Sequence, residues 1–305
     1  MSGDGVELWR GCANAWECDE MGHMNVRHYI AKSLEGFGEI AARLGMADAF
    51  SARASSTLLV REQHVRFLRE AHAGAALHMA GGVLEIGEDE VRVLQMLRHS
   101  LSGEPCATFV SRLAHVGARE AKPFPWSSRS RAAADAIRVE LPPFAAPKGV
   151  SLDPVEPKAS SDQAEALGLM TIARGVMPVS ECDVFGRMRP DAVMGRFSDG
   201  AAHLFGDVVR TAEGRRIGGA MLEIRMLHLR PAYAGARFVL RSGLAEVGAK
   251  TDRIVHWLLD PDGGAPYAIA AAVGASFDLD ARRIVPAPPE AGRLREAAFV
   301  EGLAL

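Results

Sequence analysis

The sequence predicts an α+β protein built from two similar domains in tandem. The first observation behind this prediction is an internal repeat. The second is that each copy has the same order of elements: a strand, a polar turn, one long helix and three or four strands separated by glycine-containing turns. One helix against an antiparallel sheet makes a two-layer domain. We therefore expect two such domains along the 305-residue chain.

The repeat is clearest around the polar turn. Residues 9–30 align without a gap on residues 173–194, and seven of the 22 positions are identical. Average composition would give roughly one or two identities. After a short slip, FLREAHAG at 67–74 matches HLRPAYAG at 228–235. The recurrence of the same segments in the same order indicates a tandem duplication.

The repeat sets the expected domain boundaries. We place the first domain at residues 1–118 and the second at 172–286. Residues 119–171 between them are rich in proline, which favours extended polyproline-like segments over packed elements. Residues 287–305 form a C-terminal tail of similar composition.

Composition excludes several classes of function. The net charge of −3 offers no basic field for nucleic acid or an anionic membrane, and no apolar run is long enough to span a bilayer. The four cysteines form no CxxC pair, which favours a reduced, cytoplasmic protein. The ten histidines show no metal-ligand spacing, so no metal is expected.

The long helix of the first copy is predicted by apolar spacing. Asn25 is the expected N-cap, and Gly45 marks the C-terminal end. In the second copy, Pro190 falls where the first helical residue is expected, a position that proline tolerates. The expected buried stripe of the first helix is Ile30, Leu34, Phe37, Ala41 and Leu44.

The turn also points to chemistry. Hydrolysis at a carbonyl group needs a nucleophile or an activated water, together with stabilisation of the oxyanion that develops on the carbonyl. A carboxylate just before a helix N-terminus, such as Asp19, can supply the first, and the helix N–H groups can supply the second. The structural alternative is that these short polar residues only cap the helix.

The segment DEMGHMN (Asp19–Asn25), followed by a helix and by HVRFLR at the start of the later strands, resembles the hot-dog-fold thioesterases of the 4-hydroxybenzoyl-CoA thioesterase type. The resemblance covers both copies without the linker. It implies two tandem hot-dog domains that pair as a pseudo-dimer. Family members often form pairs of such pairs, but the sequence leaves open whether this chain forms a homodimer of pseudo-dimers. It also implies hydrolysis of a small-molecule acyl-CoA substrate with no cofactor, coenzyme A being part of the substrate.

The same resemblance assigns roles within the first copy. It places the catalytic carboxylate on Asp19, as nucleophile or general base, and the oxyanion donor near Val26 and Arg27. His23 is a candidate to hold water or the substrate carbonyl, with an exposed turn histidine as the alternative. Asn25 is placed beside the substrate, although a cap is its simpler role.

Other candidates lie outside this turn. Glu35 on the long helix is a second candidate base, with a solvated helix acid as the alternative. Asp183 is the equivalent of Asp19, but Pro190 removes a backbone N–H from the second copy, so we expect one dominant site. The arginines considered for substrate phosphates are Arg69, Arg187 and Arg230.

Two other functions remain open at this point. The protein could be a catalytically silent acyl-CoA-binding hot-dog protein, a reading favoured by the altered second turn. It could also be an enoyl-thioester hydratase, although the Asn-Pro step typical of such enzymes is absent from the sequence.

Overall fold

The computed structural model describes residues 5–206, 208–211 and 214–305. The chain divides into two compact units. The first comprises Met1–Ala146 and Asp183–Asp191, and the second comprises Pro147–Cys182 and Ala192–Leu305. Within the described ranges, no helix has the length and apolar character needed to cross a membrane.

The described part of the first unit contains one long helix and five antiparallel strands. In chain order the elements are β1 (Val6–Cys12), α1 (Val26–Arg43), β2 (Ser56–Phe67), β3 (Ala76–Ile86), β4 (Glu90–His99) and β5 (Pro105–Gly117). The strands pair in the order β1-β3-β4-β5-β2. The α+β class and the element order predicted for this copy are confirmed.

Helix α1 packs one face against the sheet. Ile30, Phe37 and Ile40 are buried, but Leu34 is only partly buried, unlike the predicted stripe. Gly36 lies on the buried face instead. A Cβ at this position would stand 2.6 Å from the Gln95 side-chain nitrogen, so glycine allows the helix to approach the sheet closely.

The segment after β5 is packed, which contradicts the extended conformation predicted from its prolines. It forms helix α2 (Ser128–Ala136), whose N-cap Ser127 accepts a hydrogen bond from the Ser130 N–H. Trp126 and Ile137 flank this helix and are buried. Capping serines and apolar residues between the prolines therefore outweigh the preference of proline for extended backbone.

The second unit repeats the plan. Its elements are α3 (Ser161–Ala166), β6 (Met170–Val176), α4 (Pro190–Phe205), β7 (Val209–Arg210), β8 (Arg216–His228), β9 (Arg237–Val247), β10 (Thr251–Leu259), β11 (Pro266–Asp278), β12 (Arg283–Ile284) and α5 (Gly292–Ala298). The first two residues of α4 belong to the first unit. The main strand order is β8-β11-β10-β9-β6, with β7 on β8 and β12 on β11.

The C-terminal tail also packs on its unit. Arg295 of α5 forms an ion pair with Asp252, and the Val300 N–H donates to the Leu244 carbonyl. Leu303 is buried. The tail is therefore part of the second unit and not an extended appendage.

Candidate active site

The polar turn of the first copy is a small closed hairpin before α1. Cys18 and Met24 form an isolated antiparallel bridge at its base. At its tip, the Asp19 N–H donates to the His23 carbonyl at 3.1 Å, and the Gly22 N–H donates to the Asp19 carbonyl at 2.9 Å. Gly22 has φ +81°, a left-handed conformation that side chains disfavour. The glycine of the sequence motif therefore allows the backbone of this hairpin to close.

The Asp19 carboxylate is held by two neutral donors. Oδ1 accepts from the Met21 N–H at 3.1 Å, and Oδ2 accepts from the Asn25 side-chain amide at 3.3 Å. The side chain is 17% exposed. Among the described residues, no lysine or arginine pairs with this carboxylate. Asp19 is therefore oriented but not neutralised.

His23 stands between two carboxylates. Its Nδ1 lies 3.4 Å from Asp19 Oδ1, and its Nε2 lies 3.5 Å from Glu70 Oε1. His72 follows, with Nε2 3.6 Å from Glu70 Oε2 and Nδ1 donating to the Gly22 carbonyl at 2.8 Å. Sequence reasoning missed Glu70 and His72, although the two differ from their repeat equivalents, Pro231 and Tyr233.

The start of α1 offers one backbone donor. Asn25 is the N-cap, as predicted, and its side-chain oxygen accepts from the Arg27 N–H at 3.0 Å. The His28 N–H donates to the Asn25 carbonyl at 2.9 Å. Within the described part of the chain, the Val26 N–H has no hydrogen-bond acceptor. Of the two predicted donors, Val26 is thus the unengaged one, while the Arg27 side chain lies 3.7 Å from Asp191.

The second turn has the same backbone conformation, but its aspartate has different hydrogen-bond partners. The Asp183 N–H donates to the Arg187 carbonyl at 2.7 Å, and Gly186 has φ +80°. However, Asp183 accepts from the Arg187 N–H at 2.9 Å and from Arg187 Nε at 2.9 Å. Arg187 is only 3% exposed and stacks on Phe185. The carboxylate of the second turn is therefore neutralised by a buried arginine.

The helix start of the second turn also differs. Pro190 is the first residue of α4, as predicted, and has no N–H to offer. Arg189 replaces the capping asparagine, and it donates to Asp191 at 2.8 and 3.0 Å. The two features that the first turn presents, a carboxylate without a cation and a free backbone donor, are both missing.

An ion pair beneath the turn is common to both copies. Lys32 Nζ donates to both oxygens of Glu17 at 2.8 Å, and the lysine is only 3% exposed. At the equivalent positions Arg196 pairs with Glu181. Burial raises the pKa of the Glu17 carboxyl, but the Asn14 N–H and the Lys32 ammonium outweigh it and leave the pKa below its usual value. The ion pair connects the turn to its helix in both copies, although the other polar residues of the two turns differ.

The remaining candidates have partners of their own. Glu35 is exposed and accepts from the Trp9 indole at 2.7 Å. It lies nine residues beyond Val26 in α1, roughly 13 Å along the axis. Arg69 pairs with Glu104 at 2.7 Å. The structure therefore groups Asp19, His23, Asn25 and Val26, but not Glu35.

Arg230 belongs to the second unit and closes a strand end. Its guanidinium contacts Asp260 at 2.9 Å and lies 4.0 Å from the centre of the Tyr267 ring. The side chain of Arg230 is 38% exposed, and that of Arg69 is 57% exposed. Both arginines therefore remain reachable by a ligand.

Cys18, next to Asp19, is half-buried. Burial and the negative charges of Asp19 and Glu17 raise the pKa of its thiol. A raised pKa lowers the fraction of thiolate, so the site does not activate this cysteine as a nucleophile.

The comparisons with known proteins agree with this architecture. A family model described as the thioesterase-like superfamily matches residues 13–136 and 177–295. No curated protein is significantly similar in sequence. The family match is to the superfamily, and the narrower 4-hydroxybenzoyl-CoA type stays a prediction.

Solved structures show the same fold at low sequence identity. A putative oleoyl thioesterase from Lactobacillus plantarum superposes with a TM-score of 0.67 at 10% identity, covering 90% of this chain and 99% of that chain. An acyl-ACP thioesterase from Bacteroides thetaiotaomicron gives 0.63 at 13% identity, with 90% and 100% covered. The 12:0-ACP thioesterase from Umbellularia californica gives 0.62 at 12% identity, with 88% and 93% covered.

These likenesses confirm the predicted tandem hot-dog fold. The family model covers both copies of the repeat and most of the chain. The chain therefore belongs to the thioesterase-like superfamily, and it is an enzyme of the thioester hydrolase class.

Proposed function

We propose that the protein hydrolyses an acyl-CoA or a related acyl thioester at the turn of the first copy. The observation that carries this proposal is the pairing of an un-neutralised carboxylate, Asp19, with the unengaged N–H of Val26 at the start of an 18-residue helix. The carboxylate supplies the nucleophile or base, and the N–H together with the positive end of the helix dipole supplies oxyanion stabilisation.

The chemistry follows from these positions. In one route Asp19 takes a proton from water as the water oxygen attacks the thioester carbonyl. In the other, Asp19 attacks directly, and water then hydrolyses the acyl-aspartyl intermediate. In both routes the C–S bond breaks, and the departing thiolate becomes a thiol by taking up one of the two protons of the water that is consumed. Asn25 holds Oδ2 of the carboxylate, and His23 lies 3.4 Å from Oδ1, where it can accept or return a proton.

We assign no turnover to the second copy. Asp183 is neutralised by Arg187, and Pro190 cannot donate to an oxyanion. In this proposal Arg187 is held by Asp183, and the more exposed Arg69, which belongs to the same unit as Asp19, is the candidate for phosphates of the thiol portion of the substrate. The proposal therefore gives the protein one dominant active site, at the turn of the first copy.

The carrier of the acyl group is part of the proposal. Two of the structural neighbours are described as acyl-ACP thioesterases, so a carrier-protein thioester is the specific alternative to acyl-CoA. Membership of the thioesterase-like superfamily argues against the silent acyl-CoA-binding protein and the enoyl-thioester hydratase, and the assay below separates both from a thioesterase.

Thiol release from short, long and aromatic acyl-CoAs and from an acyl carrier protein thioester tests the proposal. We expect turnover of at least one of them without added metal or cofactor. Tight binding of an acyl-CoA with no thiol release would support the binding protein instead. Hydration of an enoyl-CoA with no thiol release would support the hydratase.

A further inference from the structure

A line of four titratable side chains runs outward from the reacting carboxylate. It passes from Asp19 to His23 at 3.4 Å, to Glu70 at 3.5 Å and to His72 at 3.6 Å. Asp19 and His23 are 17% and 16% exposed, Glu70 is 28% exposed and His72 is 56% exposed. The line therefore leads from a mostly buried acid to an exposed imidazole.

The backbone carrying Glu70 and His72 is fixed against the turn. The Met24 N–H donates to the Ala71 carbonyl at 2.7 Å, and the Ala71 N–H donates to the buried Tyr29 hydroxyl at 3.0 Å. His99 Nε2 lies 3.1 Å from the Glu70 carbonyl. These bonds hold the segment from both sides, so the spacing of the four side chains is set by the fold.

A hydrogen bond determines which nitrogen of His72 can accept a proton, whereas His23 Nδ1 lies near Asp19 without a hydrogen-bond partner among the described residues. His72 Nδ1 donates to the Gly22 carbonyl, which leaves Nε2 of a neutral His72 as an acceptor facing Glu70. A neutral His23 with its proton on Nε2 would likewise present Nδ1 as an acceptor to Asp19. The separations of 3.4 to 3.6 Å are long, but catalytic contacts are commonly long in unliganded enzymes and tighten when substrate binds.

The line exists in one copy only. Its equivalents in the second copy are Arg187 for His23, Pro231 for Glu70 and Tyr233 for His72. The second turn nevertheless forms the same backbone hydrogen bonds at its tip. Glu70 and His72 are therefore not required for this backbone conformation, although His72 also bonds to the Gly22 carbonyl, and their position beside the proposed catalytic carboxylate is compatible with a role in the reaction.

Thioester hydrolysis supplies such a role. At neutral pH a thioester and water give a carboxylate, a thiol and one proton. Asp19 receives a proton from the attacking water, or from the water that hydrolyses its acyl intermediate, and must lose it before the next cycle. A substrate lying on the turn would cover the small exposed fraction of Asp19 and His23, so this proton needs another way out.

We infer that Asp19, His23, Glu70 and His72 form a proton relay that carries the hydrolysis proton to solvent. Asp19 passes its proton to His23 Nδ1, the Nε2 proton of His23 passes to Glu70, and Glu70 passes a proton to His72 Nε2. The protonated His72 releases a proton to solvent, and His23 returns to its Nε2–H tautomer by proton exchange with water before the next cycle. Glu70 and His72 do not contact the reacting carbonyl, and they act as positioning residues through His23. The inference rests on the proposed function.

The test measures kcat and KM for the full chain in weakly buffered solution and then with increasing imidazole. The variants are Glu70→Gln and His72→Tyr, the latter taking the residue of the second copy. Glu20→Gln, which removes an exposed carboxylate from the same turn, is the matched control. We expect kcat of both relay variants to fall at least about tenfold, with KM unchanged.

Imidazole should restore kcat in the relay variants, because a soluble buffer replaces the missing link, whereas wild type and Glu20→Gln should not respond. A structural role would give losses that imidazole does not repair, and that result would overturn the relay. Wild-type kcat in both variants would overturn it too. Absence of turnover in wild type would instead refute the proposed function, and the relay with it.

Discussion

Arg187 donates to Asp183 at 2.9 Å from a side chain that is only 3% exposed. The corresponding histidine of the first turn, His23, lies 3.4 Å from Asp19 and brings no permanent charge to it. The two turns share their backbone and their glycine, but only one leaves its carboxylate without a cation. The difference between the copies therefore lies in their side chains, and most of the predicted effects can be tested with one copy as the control for the other.

The Val26 N–H should stabilise the oxyanion. Val26→Pro removes this donor, and the fold should tolerate it because Pro190 occupies the equivalent position. Asn25 already has the extended backbone, φ −63° and ψ 144°, that a following proline requires. We expect kcat to fall about 10²- to 10³-fold with little change in the unfolding midpoint.

Val26→Ala keeps the N–H and is the matched control for this experiment. It should retain most of the wild-type kcat. Unchanged turnover in Val26→Pro would show that the oxyanion is held elsewhere.

Glu35 should not be the catalytic base. Its carboxylate is exposed and bound by Trp9, and a lost general base would cost about 10²- to 10⁴-fold in rate. We therefore expect Glu35→Gln to change kcat by less than about threefold. A loss of kcat as large as that of Asp19→Asn would show that Glu35 is the catalytic base.

The Lys32–Glu17 pair should stabilise the first unit. Lys32→Met leaves Glu17 mostly buried without its cation, and we expect a loss of about 3 kcal/mol in the free energy of unfolding. Lys32→Arg copies Arg196 of the second unit and should cost far less. Urea unfolding of both variants checks this, and equal stabilities would mean that the pair contributes little.

A buried histidine should make the second unit sensitive to acid. Burial lowers the pKa of His256 from 6.5 to about 3, and Ser242 Oγ lies 2.7 Å from its Nδ1. Because the unfolded chain binds the proton first, stability is present above pH 6.5. It falls by up to about 1.4 kcal/mol per pH unit as the pH drops toward 3.

His256→Gln places in the second unit the residue that the first has at Gln95. The variant should lose this part of the acid dependence when urea midpoints are compared across the same pH range. An unchanged dependence would show that other groups are responsible.

Much of the fold could be predicted from the sequence. The repeat gave the domain plan, and the strand-turn-helix order located Asn25 as a cap and Pro190 as a first helical residue, both as found. These features are local, so short windows of sequence contain them. The packed segment around Trp126 was predicted wrongly because proline content says nothing about the burial of the apolar residues between prolines.

Part of the site could not be predicted because it depends on tertiary contacts. Glu70 and His72 are about 50 residues from Asp19 in sequence, and only the packing of the segment after β2 on the turn brings them to His23. The repeat did contain a signal. FLREAHAG and HLRPAYAG differ at these two positions, and differences between otherwise similar copies are where function is expected to diverge.

Thiol release by Asp19→Asn and Asp183→Asn, beside wild type on the best acyl thioester, tests the central claim most directly. Both substitutions keep the shape of the side chain and remove its charge. We predict that Asp19→Asn lowers kcat at least about 10²-fold while Asp183→Asn stays close to wild type. Equal losses in the two variants, or full activity in Asp19→Asn, would contradict the assignment of catalysis to the first turn.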